Sequence, residues 1–462
     1  HETYNGKAMH LKGVAHGVAT GATATWDPGD GSGFIPVVPN PAGGFDFDLG
    51  VVHTYPNSSA GTPYTATLEV CNGAECASDT YRVVVKNRTL DVEINIGIDE
   101  GLWYLHRRQT RNTASSDGRW SSNNVTANTA GAVQAFQINN HFETNDTLQD
   151  PYADTVARGL KYTLSTLSSV NIGLQPAGNP DSNGNGIGIQ AAIGSRAPYV
   201  GGQAMDAIVT TKTPGAVTTT GPKGTALPAN LGGRTYGDIV QDMVDMYAWG
   251  QYDSAANRGG WRYSWNQGPD NSACQWAAIG ILAARDLFGA TVPAFVYTEN
   301  LNWLSYSQTP APPADAIGYG YTGRSLGVAT SPSGLVQLIM DGVLKTDTSR
   351  WVGVENDMAS RWNSWYRDTT NYYALFALAK AMRLALPAPI VQMAQGTANQ
   401  IDWFGADCAN PAACNSATDK WGVARTVLRD QNLDGRFIGG SWAGGNLSLA
   451  WGVIILTGTI EL

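Results

Sequence analysis

The chain is short of charge: Asp, Glu, Lys and Arg supply 15% of its residues, against roughly 25% in an ordinary globular domain. No run of Lys or Arg forms an electrostatic footprint, and 38 acidic against 29 basic residues leave a net charge of -9; both argue against nucleic acid as a partner. Long apolar runs are missing as well. The longest, such as "LAWGVIILTG", fall short of the roughly 18 uncharged residues that cross a bilayer, so no membrane span is expected. Histidine is scarce, with six in all and none after His141. A metal or nucleophile site built on imidazole therefore has almost nothing to draw on over most of the chain.

Cysteine is also sparse. Of the five, Cys71 and Cys76 bracket "CNGAEC" and Cys408 and Cys414 bracket "CANPAAC", short turn-forming loops that can each close as a disulfide. Cys274 sits alone in an apolar helical pattern and reads as a core thiol. What the chain has in excess is glycine (54) and tryptophan (15). With the two cysteine pairs, this composition points to an extracellular or cell-surface protein.

At 462 residues the chain exceeds a single ordinary core. Residues 1–87 alternate in β-fashion through "GATATW", "FDLGVVHTY", "YTATLEV" and "DTYRVVV", separated by Gly/Pro/Asn turns, which predicts a small β-sandwich. Within it Trp26, Asp27, Gly29, Asp30, Gly31, His53, Tyr55, Tyr64 and Leu68 fall on W-D-x-G-D-G, H-T-Y and G-x-Y-x-V-T-L patterns. In these the segment resembles the polycystic-kidney-disease (PKD) repeat, and the resemblance implies an Ig-like fold used as an adhesive or spacing module. Residues 88–97, within "TLDVEINIGIDEG", read as a linker strand.

From residue 98 to 462 the apolar period becomes helical. "SACQWAAIGILAARDLFG" keeps Ala273, Trp276, Ala277, Ile281 and Ala284 on one face, with Ser272 expected to cap its start and Gly289 its end; "SPSGLVQLIM" is expected to be capped by Ser331. About six such units, each two helices and a Gly-aromatic loop, recur at irregular spacing, the sign of a helical repeat that buries its faces against neighbours. Gly259, Gly260, Trp261, Tyr263, Asp270 and Ala273, with the Q-x3-G-x-F element Gln431, Gly435 and Phe437, resemble the (α/α)6 toroid of the prenyltransferase and squalene cyclase superfamily. The fold class expected is therefore multidomain: an Ig-like/PKD β-sandwich followed by an all-α toroid.

Fold does not supply chemistry. The D-x-D-D acid of the cyclases, the Asp/Cys/His zinc set of the prenyltransferases and the thioester motif of complement-type toroids are all absent, so no catalytic residue is assigned. Asp242 and Asp245 share a helix face expected to meet solvent. "DSNGNGIG" places Asp181, Asn183 and Asn185 at EF-hand-like spacing without the closing Glu, which makes calcium the one cofactor candidate. The acids to inspect for glycan chemistry are Glu100, Asp270, Glu355, Asp357, Asp368 and Asp402, with Arg262, Arg361 and Arg367. Trp120, Trp261, Tyr263, Trp265, Tyr319, Tyr321, Trp362 and Trp365 follow loops that stacked repeats place on one rim, where they could line a mouth. Three functions stay open. The first is a non-catalytic surface protein acting in binding or structural assembly, with other subunits or an extracellular glycan as partner. The second is a polysaccharide lyase or glycoside hydrolase, and the third terpenoid binding or cyclisation.

Overall fold

The computed structural model describes residues 1–18, 21–37, 40–42, 46–56, 62–112, 117–121, 123–191, 196–218, 231–309, 317–442 and 444–458. The first 86 residues form strands β1 (Glu2–Tyr4), β2 (Ala8–Leu11), β3 (Val14–His16), β4 (Thr23–Asp27), β5 (Ile35–Val37), β6 (Asn40–Ala42), β7 (Asp46–Asp48), β8 (Val51–Thr54), β9 (Tyr64–Asn72) and β10 (Glu75–Lys86). A sheet in the order β1-β10-β9-β4-β5, with β1 parallel to β10, accompanies the smaller sheets β2-β8 and β3-β7-β6. Their shared core holds Met9, Leu11, Trp26, Tyr55, Leu68 and Val83. The polar atoms of its large rings are spent on backbone: Trp26 Nε1 donates to Leu49 O at 2.7 Å and Tyr55 Oη to Pro28 O at 3.0 Å. Cys71 and Cys76 face each other across the β9–β10 hairpin and form a disulfide; Cys408 and Cys414 form the second.

The segment expected as a linker strand is instead the start of a 19-residue helix, α1 (Leu90–Arg108), capped by Thr89. Its alternating Val92, Ile94 and Ile96 are buried because the helix is packed on two sides, by the sandwich and by other helices. A helix without a free polar face shows no 3.6 period. Lys12 of the sandwich lies against Asp99 and Glu100 of α1, 3.0 Å from the latter, and His10 pairs with the same Glu100 through both backbone and ring.

After α1 come α2 (Val125–Gln137), α3 (Ala153–Ser165), α4 (Ala197–Val209), α5 (Tyr236–Trp249), α6 (Asn271–Phe288), α7 (Ala294–Ser307), α8 (Thr330–Met340), α9 (Val352–Ser360), the single turn α10 (Trp362–Trp365), α11 (Tyr372–Leu384), α12 (Val423–Arg429) and α13 (Gly445–Leu456). Helices α2, α4, α6, α8, α11 and α13 each pack on the next, and α13 returns to α2, so these six close a ring. The remaining helices lie outside it. Gly202 lets α4 lie close against α6, since a Cβ there would stand 2.1 Å from the carbonyl oxygen of Trp276.

Glutamines tie successive outer helices. Gln109 donates to Thr155 O, Gln251 to Val296 O, Gln308 to Ser349 O, and Gln431 to Gly97 O, at 2.6–3.0 Å. The last bond joins the end of the ring to its start. Arg425 reinforces it by bonding Glu93 of α1 and Asp407.

Candidate functional site

Helices α4, α6, α8 and α11 begin at one end of the ring, where the segment before α13 joins them. There Tyr199 (third residue of α4), Ser272 (second of α6), Thr330 (first of α8), Asn371 and Tyr373 (cap and second residue of α11), and Trp442 (before α13) line a cavity of about 580 Å³ with Tyr321, Thr370 and Ser441. Below it Trp276, Phe376 and Trp451 close the ring axis. Trp276 stacks on Trp451 at 5.5 Å between centroids and on Phe376 at 5.2 Å, and each is buried to within 1%. The ring is thus a cup with an aromatic floor.

Local bonds fix the lining. Tyr373 Oη donates to Ser272 O at 2.6 Å; Asn271 N donates to Tyr321 O at 3.0 Å, setting Tyr321 at the lip, 40% exposed. The Tyr321 and Tyr263 hydroxyls bond each other. Trp442 stands edge-on to Tyr199 at 4.6 Å, and its indole N–H has no hydrogen-bond partner.

Beneath the lip lies Asp270. It, and not Ser272, caps α6: Oδ1 accepts from Ala273 N at 2.8 Å and from Ser272 Oγ at 2.5 Å. Oδ2 is buried without a hydrogen-bond partner, 3.5 Å from Arg262 Nε. Burial raises this carboxyl above its ordinary range, against the lowering effects of Ser272, the Ala273 amide and Arg262. The other acids taken from the sequence serve separate structures. Glu100 joins the domains, Glu355 accepts from Trp351 and Ala394, Asp357 pairs with Arg361, Asp368 with Arg429, and Asp402 caps a turn through Phe404 and Gly405. Arg367 donates to Asp419 O.

Of the aromatics expected on the rim, Trp120, Trp261, Tyr319 and Trp362 are buried in the wall. Each donates to a backbone carbonyl, at Leu105, Tyr247, Arg350 and Trp421 respectively. Leu105 and Tyr247 lie in the last turns of α1 and α5, where carbonyls lack intrahelical donors, and the indoles of Trp120 and Trp261, behind glycine turns, supply them. Trp265 and Trp365 are half-buried, on Tyr247 and under Arg361. Tyr321 does reach the mouth, and Tyr263 stands behind it, bonded to its hydroxyl. Tyr199, Tyr373 and Trp442, which complete it, had no signal of their own beyond lying at helix starts.

Asp242 and Asp245 are fully buried, not solvated. The loop 181–187 covers them: Asn183 and Asn185 donate to Asp242 Oδ1 at 2.7 and 3.0 Å, Ser182 N to Asp245 at 3.1 Å, and Arg234 lies 2.7 Å from Asp242 Oδ2. Asp181 accepts from the amides of Gly184, Asn185 and Gly186. These oxygens are those a calcium ion would use, and each already has a protein partner. Ser331 lies inside α8, which has no side-chain cap. Cys274 is fully buried, its sulfur held by the Trp261 backbone. Among the described residues no helix is long and apolar enough to cross a membrane.

No protein-family model and no curated protein matches the sequence. Among solved structures the chain is similar to a family 76 glycoside hydrolase from a bovine Bacteroides thetaiotaomicron strain, at 9% identity and a TM-score of 0.47, over 99% of this chain and 96% of that one.

Proposed function

We propose that the chain is an extracellular carbohydrate-binding protein whose site is the mouth of the helical ring, with the β-sandwich as a spacing module. The observation that carries this reading is the lining itself. Three rings, Tyr321, Tyr373 and Trp442, offer faces and edges for the C–H surface of a sugar, while Ser272, Thr330, Thr370, Asn371 and Ser441 offer hydroxyls and amides for its oxygens. A concave site of this size suits a small ligand or the end of a chain, the usual range being about 300–1,000 Å³. Terpenoid binding fits less well, because so many hydroxyls would lose water without a partner. Two disulfides accord with an oxidising compartment.

The test is calorimetric titration with a panel of oligosaccharides against the wild-type chain and Tyr321→Ala. The reading expects at least one saccharide to bind and the variant to weaken it about tenfold, roughly 1.4 kcal/mol. Absence of binding across acidic and neutral saccharides, or identical binding by the variant, contradicts it.

Asp270 favours a second reading, turnover of the bound glycan. Burial raises this carboxyl toward the range in which a carboxylic acid can serve as a general acid, and Oδ2 has no hydrogen-bond partner to lose. Product release by the wild type, abolished in Asp270→Asn with binding retained, would support it; equal rates would reject it.

A further inference from the structure

We infer that the ring mouth selects an acidic sugar, a uronate, over neutral ones; this rests on the carbohydrate reading above and names the class of substrate. Three observations converge on it.

The first is Arg196, at the start of α4. Its guanidinium carbon lies 5.4 Å from the Tyr263 ring and 5.6 Å from the Trp442 ring, so the cation is held between two aromatic faces beside the cavity. Among the described residues it makes no hydrogen bond and no ion pair. Its backbone is left-handed, with φ of 67°, an unusual conformation for a long side chain, and one that clusters at ligand clamps. A guanidinium so placed keeps its donors for a carboxylate, which it can take bidentately.

The second is the field of the ring. The N-termini of α4, α6, α8 and α11 open on the mouth, each with a partial positive charge, and none of them carries an acidic residue in its first turn, the buried cap Asp270 of α6 lying just before it. Outer helices α1, α3, α5 and α9 do, while α7 and α12 do not. Side-chain caps serve only α6 and α11, through Asp270 and Asn371.

The third is the lining, which among the described residues contains no Asp or Glu. Asp270, the nearest carboxylate below the lip, is buried and faces Arg262. Among the described residues nothing acidic on the cavity wall opposes an incoming carboxylate.

The experiment uses the full chain and matched probes: oligosaccharides of galacturonate, glucuronate and mannuronate, and the same oligosaccharides with each carboxyl reduced to an alcohol. At least one uronate is expected to bind tenfold or more tighter than its reduced counterpart, with the preference shrinking as salt rises. Arg196→Gln should erase the preference while changing the reduced sugar's Kd less than twofold, and Arg196→Lys should retain part of it. Equal affinity for acidic and reduced sugars overturns this inference and leaves the carbohydrate reading standing. A preference that survives Arg196→Gln unchanged also overturns it. Should that variant fail to fold, the wild-type comparison of matched sugars decides alone. Failure of every sugar to bind removes both readings together.

Discussion

Trp276 of α6 and Trp451 of α13 stack with their ring planes 15° apart and centroids 5.5 Å apart, joining two helices that are not neighbours in the ring. This contact, with Phe376 against both, makes the floor of the mouth and removes the largest apolar surfaces from water. Replacing Trp276 with Ala is expected to cost about 3–5 kcal/mol, the usual range for emptying a large aromatic site. Urea unfolding should show a lower midpoint. An unchanged midpoint would mean that the ring is not held through its axis.

The junction between sandwich and ring rests on buried charge. Lys12, with 3% of its side chain exposed, faces Asp99 and Glu100, and Glu100 also takes His10. The two carboxylates hold the buried Lys12 ammonium above its ordinary range despite burial. Lys12→Met strands Glu100 in the interface and is expected to destabilise by about 3 kcal/mol or more, read as an earlier calorimetric transition. Changing Lys12 and Glu100 together to apolar residues should recover part of that loss. A single variant with wild-type stability would contradict the junction's role.

A pH effect follows from Asp245. Burial pushes its carboxyl up to about 6, against the lowering effects of Ser182 and Gln241; Asp430 is raised to about 6 by burial and by Asp368. A carboxyl whose folded value lies above its unfolded value near 4 binds more protons when folded. These groups therefore make stability fall as pH rises from about 4 to about 6. Asp245→Asn should flatten that part of the profile and raise the melting temperature at pH 7.5 relative to pH 4.5. A profile unchanged by the substitution would refute the assignment.

Thiol chemistry gives a fourth check. With two disulfides closed and Cys274 fully buried, its thiol raised well above the ordinary range by burial, the native chain should not react with an aromatic disulfide reagent. One thiol per chain should appear on unfolding without reductant. More than one would mean that a disulfide is open.

The sequence carried the parts of this fold that local pattern controls. The face of α6, its Gly289 end and the core position of Cys274 followed from 3.6-residue spacing and the conformational freedom of glycine, whose φ there is 70°. Pattern failed where a helix is covered on more than one side. The first two turns of helix α1 read as a strand because both its faces are packed, and Asp242 and Asp245 read as solvated because the loop that covers them lies some 60 residues away in sequence. The mouth was half legible for a similar reason. Tyr263 and Tyr321 stood out behind glycines, but so did Trp120 and Trp261, which turn inward to satisfy helix ends. Tyr199, Tyr373 and Trp442 meet only because the ring closes, and no local period encodes that closure.

The most direct test of the account is a crystal structure of the chain soaked with an oligosaccharide that binds it. The account predicts a sugar ring in the cavity between Tyr321, Tyr373 and Trp442, with its oxygens on Ser272, Thr330 or Asn371. Sugar bound instead in the outer groove between α9 and the Pro389–Thr397 segment, with the mouth left empty, would contradict it.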